Sequence, residues 1–373
     1  MAGEHDNLSA AFARATAENN APGAYWLYNA CCDFLSREGR IEQRMDWLEQ
    51  VTKLIASHSD AYLQAAVQTS AGNAYWSYPS GDRRENLQKA VAAYKAALTY
   101  YTPENAPLAY VTTQRNLGAA YRALAQFEER DENLHRAADA YQSAHDHCHS
   151  GCTQSEQAIA LHGLGMALWE LARSENRTDN LHRAEAAFRA ALDLWTPQNA
   201  PAEYATALHN LATTHYDMSE AEDRAANLNK AIMAYREALD YRRPENVPLE
   251  YAMTQNNLGA AYQRLADIQD PIGNLRRAVS AYKEALHYYT PETAPLAYAM
   301  TQNNLAAIYR NLAHFEDRIE NLRHAVTLYK ATMSYYTPQS APMDYAMLQH
   351  NLGVAYAELA MEEEREPNLE SAV

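Results

Sequence analysis

The densest cluster of metal-capable side chains in the 373-residue chain is His145-Asp146-His147-Cys148-His149-Ser150-Gly151-Cys152. Imidazole and thiolate ligands at such density suit Zn²⁺, with His147, Cys148, His149 and Cys152 as the candidate set. Their spacing matches no zinc-finger pattern, and part of the run falls on a predicted helix, where ligands would diverge. The alternative is a rewritten turn, and the expectation is no metal and no cofactor. Arg115 and Arg122, seven residues apart, could share a helix face and offer a guanidinium pair to a ligand carboxylate. Trp169 and Tyr216 offer flat anchors. Carboxylate pairs such as Glu128-Glu129 and Glu362-Glu363-Glu364 fall at predicted turns or helix ends and read as solvated charge. GxxxxGK[ST], HExxH and GxSxG are all missing from the sequence, and Gly163-Leu164-Gly165 sits inside a predicted helix. The chain is therefore not expected to be an enzyme.

The elements that must position these residues follow from a ruler in the sequence. Asn-Leu recurs at Asn86, Asn133, Asn180, Asn227, Asn274, Asn321 and Asn368, every step being 47 residues. Tyr121, Leu168, His215, Tyr262, Tyr309 and Tyr356 keep the same step, and so do loops of Thr-Pro-x-x-Ala-Pro type, as at Pro291/Pro295. A fixed period of this length means a solenoid. Each period reads as two helices. Leu275, Ala278, Tyr282 and Ala285 recur at helical spacing, with Asn274 as the expected N-cap. That helix should stop near Tyr289, because Pro291 cannot continue the ladder, and Pro295 suits the first turn of the next one. Tyr298, Leu305, Tyr309 and Leu312 line a face of that second helix. The 27 tyrosines against 5 phenylalanines suggest one ring type at one structural position, filling space between alanines with its hydroxyl toward a solvated rim.

The expected fold is all-α: a right-handed superhelical solenoid of antiparallel helix pairs. Residues 1–85 read as divergent helical repeats and 86–373 as six 47-residue repeats plus a truncated seventh, in one continuous array. The chain stopping six residues into a new repeat reads as a fragment of a longer protein. The net charge of −16 argues against nucleic-acid and anionic-membrane partners. No apolar run approaches the roughly 18 residues of a membrane span. The first residues lack a secretory signal, and four cysteines do not make a disulfide framework, so a cytoplasmic location is expected.

The run Asn257-Leu258-Gly259-Ala260-Ala261-Tyr262, followed by Ala278, Tyr282, Ala285 and Pro291, resembles the tetratricopeptide repeat (TPR), lengthened by 13 residues. The Asn-Leu and Thr-Pro-x-x-Ala-Pro markers resemble arrays in bacterial STAND (NLR-like) ATPases, where the array is a sensor, and in TPR–CHAT proteins. The resemblance implies a protein or peptide ligand on a concave face lined by the first helix of each pair, with an effector outside this chain. It also implies that the residue before Leu-Gly projects into that face: Asn116, Gly163, Asn210, Asn257, Asn304, Asn351. An amide side chain carries both donor and acceptor, which suits peptide backbone; the alternative is a structural bridge between helices. Two columns beside this ladder vary as specificity positions would, one with Arg115, His162, His209, Asn256, Asn303 and His350, the other with Arg122, Trp169, Tyr216, Gln263, Arg310 and Ala357. The expected function is ligand sensing within a larger bacterial signalling or defence protein, with a static assembly scaffold as the alternative.

Overall fold

A computed structural model describes residues 2–148, 152–339 and 341–362. Among the described residues there are sixteen α-helices and no strands. The chain divides into two compact units, residues 1–194 and 195–373.

The first unit holds α1 (Ala2–Ala17), α2 (Ala21–Arg37), α3 (Ile41–Ile55), α4 (Ala61–Ser77), α5 (Arg83–Ala97), α6 (Pro107–Leu124), α7 (Arg130–Asp146), α8 (Gln154–Leu171) and α9 (Arg177–Leu194). The second holds α10 (Pro201–Met218), α11 (Arg224–Tyr241), α12 (Pro248–Ala266), α13 (Pro271–Leu286), α14 (Pro295–Leu312), α15 (Arg318–Thr332) and α16 (Pro342–Ala360). Within each unit the helices stack as hairpins, each even helix pairing with the odd helix after it from α4 onward. Each even helix also touches the next even helix of its unit: α2–α4–α6–α8 in one, α10–α12–α14–α16 in the other. No two odd helices from α5 onward pack on each other within a unit. The even helices thus form the tighter row. The fold is an all-α, TPR-like solenoid.

Small-on-large alternation holds the hairpins together. Ala90, Ala137, Ala184, Ala231, Ala278 and Ala325 are all completely buried, four residues before the buried rings Tyr94, Tyr141, Phe188, Tyr235, Tyr282 and Tyr329. Each ring fills the gap its alanines leave, so the core is close-packed from one repeated unit. Glycine makes room for it: a Cβ on Gly259 would stand 2.9 Å from the Tyr282 ring. The tyrosine hydroxyls do not reach a solvated rim, as the spacing alone suggests. Tyr282 is fully buried, and its hydroxyl points to Gln263 Oε1 at 3.4 Å; Tyr235 meets Thr213 Oγ1 at 2.9 Å.

Proline acts where the sequence places it, opening α6, α10, α12, α14 and α16. The Asn-Leu column requires a correction. Asn133, Asn227, Asn274 and Asn321 are not N-caps: each sits three residues inside its helix, buried. Their Nδ2 groups donate to the Glu128, Glu222, Gln269 and Glu316 carbonyls at 2.7–2.9 Å. The turn enters each helix four residues earlier, through Glu129, Asn176, Asp223, Asp270 and Asp317, all in the left-handed region with φ of 38–44°. An inward amide that ties the helix to the preceding turn accounts for the recurrence of Asn in this column.

Candidate functional site

The face presented by the even-helix row is the candidate site. In the second unit Leu249 and Met253 on α12, Leu296 and Met300 on α14, and Met343 and Met347 on α16 repeat at the 47-residue step. They are 37–82% exposed, the most open being Met343. Four-residue spacing puts each pair on one helix face, and Asn256/Asn257, Asn303/Asn304 and His350/Asn351 follow one turn later on that same face. The sequence reading missed the Leu/Met columns. Their regularity was visible, but in an alanine-rich helix an apolar column reads as core until the neighbouring helix is placed.

The amides of the ladder are half-buried, and some of their hydrogen bonds run between hairpins. Asn116 Nδ2 donates to Asn73 Oδ1 at 3.0 Å, and the same oxygen accepts the Tyr94 hydroxyl at 2.8 Å. Asn257 Oδ1 accepts from Asn256 Nδ2 at 3.3 Å, and the Asn257 side chain lies near the Tyr235 hydroxyl. Asn210, Asn304 and Asn351 occupy the equivalent half-buried positions on α10, α14 and α16. Gly163 interrupts the ladder for a steric reason: a Cβ there would lie 2.4 Å from the Tyr141 ring.

The flanking columns separate into open and occupied positions. His209 is buried, its Nδ1 3.1 Å from Thr254 Oγ1 and its ring 5.4 Å from that of Tyr235. Burial and the nearby Arg242 guanidinium lower its pKa to about 3, so it is a neutral packing residue between α10 and α12. Arg242, itself buried, donates to Thr254 Oγ1 at 2.8 Å. His162 packs on Phe188, and burial drops its pKa to about 4. Arg122 is drawn to Glu170 at 3.2 Å, so the carboxylate expected from a ligand is supplied by the chain itself. Glu170 is nevertheless held above its usual pKa by burial. Arg115 is half-buried, near enough to Tyr94 and Tyr141 to favour their ionised forms. The anchors carry cationic lids: Arg173 stacks over Trp169 and Arg264 over Tyr216, both at 4.2 Å. Gln263 meets Tyr282, Arg310 lies near Tyr329, and Asn256 Oδ1 accepts from Thr301 Oγ1 at 3.0 Å.

In the described part of the cysteine–histidine run, Asp146 ends α7 and His147 is its C-cap. His147 Nδ1 is 2.9 Å from the Ser143 carbonyl and its ring lies across Tyr110. Cys148 and Cys152 are free thiols packed on Val111, Ala144 and Ala160. Burial and the neighbouring Cys152 push the Cys148 thiol up to about 12. His149 lies outside the described residues. Among the described residues no group of three or more metal-capable side chains converges, and no helix is long and apolar enough to cross a membrane.

Two cavities open in the second unit. One, of about 490 Å³, is shallow and charged, lined by Met233, Arg236, Glu237 and Asp240 on α11 and by Gln255 and Leu258 on α12. The other, of about 470 Å³, lies between α14 and α16 on the even-helix face, and its lining includes Leu296, Met300, Asn303, Asn304, Met347 and Leu348. The second falls in the size range of small-ligand clefts, roughly 300–1,000 Å³.

Residues 299–335 match the family model of the tetratricopeptide repeat. Among solved structures, the chain is similar to the Signal Transduction ATPase with Numerous Domains (STAND) protein with a tetratricopeptide repeat sensor from Pyrococcus horikoshii. Identity is 16% and the TM-score 0.55; the likeness covers 94% of this chain and 46% of that one. It is also similar to the apo quorum sensor NprR from B. thuringiensis, at 15% identity and TM-score 0.48, covering 95% and 96% of the two chains. For BtubC from P. vanneervenii the values are 18%, 0.48, 68% and 92%. No curated protein matches the chain. At such identities the likeness speaks for the fold: a tetratricopeptide-repeat array resembling the sensor array of a STAND protein.

Proposed function

We propose that the chain is a protein- or peptide-recognition module, its partner lying along the even-helix row of the second unit. The observation that carries this reading is the aligned set of exposed Leu and Met side chains on α12, α14 and α16. Contiguous apolar surface on a soluble array marks an interaction site, and methionine adapts its shape to a guest at little cost. The adjoining amides supply donors and acceptors for a main chain. The ionic cover over Arg122, Trp169 and Tyr216 makes those positions secondary.

The finer reading is a ligand sensor within a larger, cytoplasmic bacterial signalling protein, with an effector outside this chain. The likeness to a STAND sensor array, of which this chain spans less than half the parent's length, supports it. Selection of a random heptapeptide phage library on the wild type and on a Met253→Glu/Met300→Glu/Met347→Glu variant tests the module. Binders to the first that fail on the second are expected; equal recovery on both removes the face from the reading. A change in the solution size of the longer parent protein on adding such a peptide supports sensing, and no change supports a static scaffold.

A further inference from the structure

The turns that lead from an odd helix to the next even one are held by two recurring side chains. A buried ring stands at Tyr101, Trp195, Tyr289 and Tyr336, and the buried Arg242 takes the same place. Four residues later a polar side chain closes the turn. Asn105 Oδ1 accepts from the Thr102 N–H at 2.9 Å, Asn199 Oδ1 from the Thr196 N–H at 2.8 Å, and Thr293 Oγ1 from the Thr290 N–H at 3.0 Å. Between α7 and α8 both positions are cysteine: Cys148 stands 47 residues after Tyr101, and Cys152 stands 47 residues after Asn105. A thiol is smaller than a ring and a weak acceptor, so neither role is kept. The helix ends on either side remain fixed. His147 caps α7 with its ring on the Ser143 carbonyl, and Thr153 opens α8 in a capping box with Glu156. Cys148 follows one of these ends and Cys152 precedes the other. Both thiols are free and half-buried on one apolar nest of Val111, Ala144 and Ala160, where Cys152 is a near neighbour of Cys148. Cys31 and Cys32 belong to a separate cluster.

We propose that Cys148 and Cys152 are a thiol pair that peroxide converts to a disulfide, and that this bond takes over the closure of the α7–α8 turn. One sulfur, as thiolate, attacks a peroxide oxygen, becomes a sulfenic acid and releases hydroxide, which takes up a proton and leaves as water. The second sulfur attacks the first, closing the S–S bond and expelling the sulfenic oxygen as a second water. Two thiols and one hydrogen peroxide thus give one disulfide and two waters. Side chains anchored on two fixed helix ends and packed on one nest meet at high effective concentration, so internal closure outruns capture of an outside thiol. Burial keeps the Cys148 thiol protonated, so the reduced form lacks the thiolate stabilisation that makes a pair strongly oxidising. The pair belongs to the first unit and is independent of the partner proposed for the second.

The test treats the reduced full chain with hydrogen peroxide and counts its thiols after denaturation. The count should fall from four to two. The tryptic peptide of residues 137–173, which holds both cysteines, should be lighter by two hydrogens. The melting temperature should rise on treatment, because the turn is closed again. Dithiothreitol should reverse that rise, which separates the bond from methionine oxidation. Cys148→Ser and Cys152→Ser should each abolish the mass change and the reversible rise. Cys152→Asn gives the sharper result: it restores the amide found at Asn105 and Asn199, so the untreated variant should melt above the untreated wild type and show no step reversed by dithiothreitol. Four thiols surviving in the folded chain overturn the proposal, and so do linked chains on a non-reducing gel in place of the internal bond. A disulfide that forms without moving the melting temperature overturns its role in the turn.

Discussion

The two units share a frame and differ on its face. In the first, the even-helix columns carry charge that the chain has already neutralised: Arg122 faces Glu170, and Arg173 covers Trp169. In the second, from α12 onward, two other columns of the same row carry open Leu and Met with amides alongside, where the first unit has Leu108 and Thr112 on α6 and Ser155 and Ile159 on α8. The buried alanine and aromatic columns are common to both. The contrast shows how a repeat separates its tasks. Positions between helices are fixed by packing and cannot drift, whereas positions one turn away are free to become either an internal ion pair or an open patch.

The largest effect should test the common frame. Tyr141→Ala in the first unit and Tyr282→Ala in the second each remove a buried ring between helices, and each should cost about 3–5 kcal/mol by chemical denaturation. A much smaller cost in either unit would show that the frame is not shared. Gly163→Asn, which restores the ladder residue the first unit lacks, should destabilise by roughly 1–3 kcal/mol because its Cβ meets the Tyr141 ring. Unchanged stability would mean the gap in the ladder has no steric cause.

Acid should act next on the second unit. His209 is held neutral in the fold, with its pKa depressed to about 3, whereas the unfolded residue titrates near 6.5. The unfolded chain therefore binds the extra proton between those values, and stability falls as pH drops below about 6.5. The loss from this residue is on the order of 2 kcal/mol at pH 5. Thermal melts of His209→Gln across pH 5–7.5 should show a flatter profile than wild type; parallel profiles would refute the assignment. Smallest of all, Asn257→Ala should cost about 0.5–1.5 kcal/mol through its bond to Asn256 and its place beside the buried Tyr235, while Asn304→Ala should stay within about 0.5 kcal/mol of wild type. Equal losses would mean that the ladder is structural throughout.

Much of the frame was legible in the sequence. The 47-residue step, the proline-opened helices and the Ala/Tyr core follow from local rules that hold wherever they recur. The candidate site was legible only in part. The amide ladder was found, but the bond of Asn116 to Asn73 and the approach of Asn257 to Tyr235 were not, because those neighbours come from other hairpins. His209 looked like a specificity residue until Thr254 and Arg242 were placed against it. The Asn-Leu asparagines looked like caps, since their distance from the true entry residue depends on a left-handed turn that no composition rule announces.

Sequence by itself determined the repeat, the helix pairs and the kind of residue that packs between them, because periodicity and backbone chemistry act within one hairpin. Tertiary structure decided which apolar columns are buried and which stay open, and which amides already have partners. It also decided that a cavity opens between α14 and α16, with Leu348 in its wall. Those outcomes depend on the helix lying alongside, and a residue's own neighbours in the chain carry no record of it.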